Sequence, residues 1–126
     1  MIAPATNTDT GFKKFVKYWL AVLVWMGIIF YFSSLPGKDI PGLFPFQDVL
    51  FHVIMYAALA YLFSRALKNI YSKLTVARLV FLTVIFGIIY GLSDEFHQSF
   101  VPGRDASAFD LFIDAVGSFM GSIFYR

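Results

Sequence analysis

Asp48, His52 and Tyr56, then Asp94, Glu95, His97, Gln98 and Arg104, then Asp110 and Asp114 are the side chains of this sequence best suited to move protons or hold a cation. Adjacent carboxylates with an imidazole close by suit general acid–base chemistry, with Glu95 the candidate base and His97 the candidate proton donor. Carboxylates and imidazoles also suit magnesium, manganese or zinc, which makes the acids and His52 candidate ligands of a divalent cation. Asp48, Asp94, Glu95, Asp110 and Asp114 face only Arg104 and two histidines, so the cluster lacks positive charge. Protons, a bound cation or a cationic group on a ligand must make up the deficit. The sequence has no cysteine, which removes disulfides, thiolate metal sites and cysteine nucleophiles. It also lacks a recognisable nucleophile motif or metal-ligand spacing, which weighs against an enzyme.

The elements that position these residues are membrane helices. Of 126 residues 59% are apolar and 14% charged, and the mean hydropathy is +0.72. A soluble domain is roughly half apolar and a quarter charged. Four apolar runs, about 18–35, 50–67, 79–91 with the acidic stretch as its continuation, and 108–125, are each near the roughly 20 residues that cross a hydrocarbon core. The expected fold is an all-α, four-helix integral membrane bundle whose third and fourth spans form an antiparallel hairpin across Val101-Pro102-Gly103-Arg104. Residues 1–15 are expected to be a disordered N-terminus, and 16–126 the membrane domain. Lys13, Lys14 and Lys17 before the first run also sketch a signal peptide, but Ser33-Ser34-Leu35-Pro36 is a poor cleavage site, so the first span is read as retained.

Lys13, Lys14, Lys17, Arg65, Lys68, Lys73, Arg78 and Arg126 fall on one side of such a bundle, and the acids with Lys38 and Arg104 on the other. The positive-inside rule then places both termini in the cytoplasm and the acidic cluster on the outer face of a plasma membrane. The basic residues set topology and present no nucleic-acid surface. The loop 36–46 contains three prolines, which exclude regular helix. Its Leu43, Phe44 and Phe46 suit a membrane surface, from which the loop would roof the cluster.

Helical spacing gathers the polar residues into stripes. Asp48, His52 and Tyr56 recur every fourth residue; Gly87, Gly91, Asp94 and Gln98 share a second face, with Glu95 beside it and His97 further round; Asp110, Asp114, Gly117 and Gly121 form a third. Arg104 is expected to clasp the hairpin by pairing with Asp110 or Asp94. Gly87/Gly91 and Gly117/Gly121 are small-xxx-small pairs that allow close helix packing. Counting a fourth helix from about Ala106 puts Asp114 roughly 12 Å along it. A charge so deep costs on the order of 3 kcal/mol, so Asp114 must face the bundle and find a partner or a proton.

These motifs, Asp48-x-x-x-His52-x-x-x-Tyr56, Gly91-x-x-Asp94-Glu95-x-His97-Gln98-x-Phe100-Val101-Pro102-Gly103-Arg104 and Asp110-x-x-x-Asp114-x-x-Gly117-x-x-x-Gly121, resemble the VanZ-like membrane family, as does Ser33-Ser34-Leu35-Pro36. The resemblance covers about residues 18–125. Two positions depart from the common pattern: Val49 stands where lysine is usual, and Asp114 where asparagine is usual. The family takes its name from an accessory protein of glycopeptide-resistance clusters, associated with teicoplanin tolerance, for which no chemistry is agreed.

Three functions follow in order of preference. The first is a cell-envelope membrane protein that binds an envelope lipid, a cation, a glycopeptide or a partner through the outer cluster and alters drug access. The second is an intramembrane, metal-assisted hydrolase or transferase working on a lipid head group. The third is a proton- or cation-coupled carrier using Asp110 and Asp114, for which four spans without an inverted repeat are a poor basis.

Overall fold

The computed structural model describes residues 7–104 and 107–125. Four α-helices run antiparallel in chain order: α1 Asn7–Ser33, α2 Gln47–Ile70, α3 Val76–Gln98 and α4 Ala108–Tyr125, with one 3-10 turn at Gly37–Asp39. All four are long and apolar enough to cross a membrane. Large apolar side chains such as Phe81, Phe96, Phe112 and Phe124 point outward and stay exposed. Water would penalise such a surface, whereas hydrocarbon accommodates it while the helices satisfy their own backbones.

α1 begins at Asn7, within the stretch 1–15 that was expected to be disordered; residues 1–6 lie outside the described residues. Phe12, Phe15, Val16 and Trp19 recur at intervals of three and four, so the helical period of the span continues upstream of Tyr18. Phe15 and Trp19 are in ring contact at 6.2 Å.

α2 is the hub of the bundle, packed on all three other helices and most extensively on α4, which packs next on α3, while α1 lies against α2 at the edge. The glycines explain how α4 comes so close. A Cβ on Gly117 would sit 2.7 Å from the Val53 carbonyl oxygen, and one on Gly121 would collide with the Ala57 carbonyl. On the other flank Gly87 faces the Ser118 hydroxyl, and Gly91 faces Asp114 and Leu111. The two glycine pairs thus serve different contacts: α4's pair admits the α2 backbone, and α3's pair admits α4 side chains. Ser64 and Thr83 hydrogen-bond across α2 and α3 at 3.0 Å, while the Ser118 and Ser122 hydroxyls donate to their own helix at Asp114 and Phe119 carbonyls. Each of these four hydroxyls therefore has a partner within the protein, as a membrane interior demands.

α1 is attached differently. Val22 and Ile29 pack against Met55, Tyr56, Leu59 and Ala66 of α2. Trp25 Nε1 donates to the Met55 carbonyl at 2.8 Å, and the Tyr90 hydroxyl donates to the Met26 carbonyl at 2.6 Å. At the end of the bundle that carries the lysines, Arg65 lies over the Tyr18 ring at 4.7 Å and Tyr61 meets Tyr125 edge-on at 5.6 Å. This end gathers α1's start, the α2–α3 connection and α4's end, as the charge partition predicts.

Because the Gly121 site is bounded by backbone, Gly121→Ala is expected to cost about 1–3 kcal/mol. Gly27→Ala, whose Cβ would meet nothing within 4 Å, is expected to leave stability unchanged. Thermal unfolding of the two variants in detergent micelles checks the contrast.

Candidate functional site

The opposite end of the bundle is closed by a network that ties the connecting loops together. Val101 to Arg104 form a turn in which Gly103 takes φ +74°, a left-handed conformation suited to glycine. The Pro102 carbonyl accepts the Gly37 N–H at 2.9 Å, and the two loops approach so closely that a Cβ on Gly37 would strike Gly103. Gln47 folds the proline loop by accepting the Leu43 N–H at 2.8 Å and donating to the Pro41 carbonyl at 2.7 Å.

Arg104 does not pair with Asp110 or Asp94, as the sequence led us to expect. Its Nη1 donates to the Phe32 and Leu35 carbonyls at 3.0 and 2.9 Å. The last turn of α1 leaves carbonyls without helical partners and carries partial negative charge, which a guanidinium satisfies in both respects. The residue is a clasp, but one that fastens α1 to the hairpin.

Glu95 and His97 also take places other than those assigned from the sequence. Ser107 caps α4, its hydroxyl accepting the Asp110 N–H at 3.1 Å. In the usual capping box the third helical residue returns a carboxylate to the cap's own N–H. Here Glu95 reaches across from α3 and accepts the Ser107 N–H at 2.6 Å. His97 turns towards α1, where its ring stacks on Phe30 at 4.3 Å and its Nε2 meets Ser34 Oγ at 2.8 Å. The Ser34 hydroxyl proton goes to the Phe30 carbonyl, so the imidazole supplies the proton of the shared bond. Base and proton donor are therefore separated: one holds the hairpin, the other holds α1. Neither lines the cavity described next.

That cavity, about 490 Å³, opens between the proline loop and the starts of α2 and α4. Asp48, His52, Gln98, Arg104, Ser107 and Asp110 supply its polar wall, and Ile40, Pro41, Phe44 and Phe46 its apolar roof. The loop thus roofs the cluster as expected. Asp48 and Asp110 make no side-chain hydrogen bond or ion pair among the described residues. Asp105, the remaining acid of this end, lies outside them.

Beneath the cavity the polar stripes converge in pairs. His52 Nδ1 donates to Asp114 Oδ1 at 2.7 Å, and the Asp114 side chain is fully buried. The Tyr56 hydroxyl donates to Asp94 Oδ2 at 3.3 Å, with Asp94 only 6% exposed. The His52 and Tyr56 rings lie parallel, 6.3 Å apart. Asp114 Oδ2 and Glu95 Oε1 are buried with no hydrogen-bond partner among the described residues. α4 begins at Ala108, so Asp114 lies about 9 Å along it at about 1.5 Å per residue, somewhat nearer the cavity than the count from Ala106 suggested.

A pocket of only about 10 Å³ adjoins this layer. It is lined by Ser33, Tyr56, Asp94, His52, Gln98 and Arg104 among others. The Ser33 hydroxyl, buried and without a partner among the described residues, belongs to it. A space of this size suits a single water.

Among the described residues no three of His, Cys, Asp and Glu are grouped so that they could hold a metal ion. The site is a cavity with carboxylates in its wall and an aspartate-oriented histidine on its inner side. Ser33 and Ser34 were noted from the sequence only within the Ser33-Ser34-Leu35-Pro36 motif and not as site residues, and Gln47 and Ser107 were not singled out. Of the latter two only Ser107 left a signal, as the serine three residues before Asp110 at the head of an apolar run.

A family model described as VanZ/LLP1 matches residues 18–126. No curated protein matches the chain, and no solved structure does.

The cap geometry separates two substitutions at one position. Glu95→Gln keeps an oxygen for the Ser107 N–H and should change stability by less than about 0.5 kcal/mol, whereas Glu95→Ala should cost about 1–2 kcal/mol. At Asp114, Asn preserves an acceptor for His52 and should fold normally, while Asp114→Leu should destabilise by about 1–3 kcal/mol through the stranded imidazole. Denaturation in micelles measures all four.

Proposed function

The chain belongs to the VanZ/LLP1 family of membrane proteins, and on that premise we propose that it binds a cationic group of an envelope ligand in the 490 Å³ cavity. The single observation behind this is that Asp48 and Asp110 face the cavity with no side-chain hydrogen bond or ion pair among the described residues, while Arg104 and His52, which line the same cavity, hydrogen-bond elsewhere. Arg104 is turned to the α1 carbonyls and His52 to Asp114. A carboxylate pair in a half-apolar enclosure near a bilayer attracts an ammonium or guanidinium more strongly than the same pair in water. Burial of the ligand's apolar part against Phe44 and Phe46 adds to that attraction.

The distribution of Lys13, Lys14, Lys17, Arg65, Lys68, Lys73 and Arg78 favours an orientation with this cavity on the outer face of the plasma membrane. There it would meet surface lipids and incoming glycopeptides alike. Occupying or presenting an envelope component at this face is the means by which the protein would lower access of teicoplanin to the surface.

A second function has one bond in its favour. His52 is held through Nδ1 by a buried aspartate and lines the cavity, so its Nε2 is the nitrogen that a cavity ligand can reach. Base and orienter have the relation required for taking a proton from water. Hydrolysis would then transfer one water proton to Nε2 as the hydroxide oxygen bonds the electrophilic carbon or phosphorus, and return a proton to the leaving oxygen. Product release from an envelope lipid extract, abolished by His52→Gln, would support this second function; no release would leave binding alone.

For the first function, teicoplanin tolerance is measured in a susceptible Gram-positive host at matched membrane levels. The wild type is expected to raise tolerance, Asp48→Asn with Asp110→Asn to abolish the gain, and Glu95→Gln to keep it. A gain unchanged in the double variant would remove the cavity acids from the function.

A further inference from the structure

Beside the polar cavity runs a second, apolar one of about 190 Å³. Phe32 and Leu35 at the end of α1 and Phe51 near the start of α2 form its walls. Phe32 and Phe51 are exposed on the lipid-facing surface. The two cavities share Ile40, Pro41, Gln47, Asp48 and Arg104, so they are neighbouring compartments with a polar boundary. Asp110 belongs to the inner compartment alone.

The lining chemistry therefore differs between the two: Phe32, Leu35 and Phe51, with Asp39, belong to the groove alone, Arg104 and Asp48 stand together at the shared boundary, and Asp110 lies within. Only Nη1 of Arg104 is engaged by the α1 carbonyls. Its Nη2 and Nε make no hydrogen bond among the described residues, and a guanidinium offers planar paired donors that match phosphate oxygens.

We infer that this pair of compartments is a binding site for a membrane phospholipid bearing a primary amine, entered sideways from the bilayer between α1 and α2. The chain nearest the glycerol lies in the groove, the phosphate sits against Arg104 at the boundary, and the ammonium reaches Asp48 and Asp110. Acyl chain, phosphate and amine follow one another in such a lipid, and the apolar wall of the groove, Arg104 with Asp48 at the boundary and Asp110 within offer a partner to each. The proline loop roofs the head group, held by the Gln47 bonds to Leu43 and Pro41 and by the Gly37–Pro102 bond. This ligand rests on the cation-binding function proposed above and narrows it, because a cation-binding cavity alone needs neither the groove nor Arg104.

The test uses the full chain in micelles and four probes titrated by calorimetry. These are dihexanoyl phosphatidylethanolamine, dihexanoyl phosphatidylglycerol, hexyl ammonium and glycerophosphoethanolamine. The expected result is that the phosphatidylethanolamine binds about tenfold or more tighter than each of the other three, since each lacks one charge-assisted contact or the chain. Asp48→Asn with Asp110→Asn should bring it down to the level of the phosphatidylglycerol, and Leu35→Trp, which fills the groove, to that of the glycerophosphoethanolamine.

If hexyl ammonium binds as tightly as the lipid, the phospholipid assignment is overturned while cation binding stands. If glycerophosphoethanolamine equals the lipid, the groove has no part and lateral entry is overturned. If no amine-bearing probe binds, both the lipid site and the cation-binding function fail. The comparison among probes is made on the wild type, so it does not depend on any variant folding.

Discussion

His52 and Asp114 can share a 2.7 Å bond inside a bilayer-sized bundle only because α4 sits nearly backbone to backbone with α2. The bond and the close packing sustain each other. Without Gly117 and Gly121 the helices would stand apart and both polar groups would face hydrocarbon, where an unmatched polar group is strongly disfavoured. Without the polar bond the tight interface would carry only dispersion and small-residue contacts. The other deep pair, Tyr56 with Asp94, extends the principle to α3. The bundle core is therefore specified by which polar groups must find each other, since apolar attraction between helices is weak in lipid.

α1 is held by another kind of force. Its contacts with α2, α3 and the turn after α3 include bonds from side chains to backbone carbonyls: Trp25 to Met55 and Tyr90 to Met26 within the helices, and Arg104 to Phe32 and Leu35 at the end of α1. Such bonds fix position without demanding the steric fit that α4 requires. They also let the same arginine fasten a helix end and border two cavities.

Much of the fold was legible because the signals were long and periodic. Four apolar runs gave four helices, and stripes at 48/52/56, 87/91/94/98 and 114/117/121 turned out to be buried faces or the wall of the cavity. Partnership was less legible. Spacing along one helix says which face a residue occupies but nothing about its rotation against another helix. So Arg104 was matched to acids when it was needed by carbonyls at the end of α1. His97, one position from the polar face, looked like part of the cluster, yet that angular step was enough to aim it at Phe30 and Ser34. Glu95 was read as a reactive base because carboxylates at a membrane helix end suggest chemistry, whereas its geometry shows a backbone cap.

The transfer of the capping duty from Asp110 to Glu95 has a wider consequence. In a capping box the acid three residues after the cap is bound to the fold, and changing it weakens the helix. In this protein another helix carries that obligation, so position 110 is relieved of it. Residues that face the cavity can be exchanged there, for an amide, a base or a larger acid, without loosening the hairpin that frames it. Such a chain could acquire a new binding preference by single steps, each tolerated by the scaffold. Variation in the cavity wall would then be tolerated at 110, while 95 and 107 stay coupled as a pair.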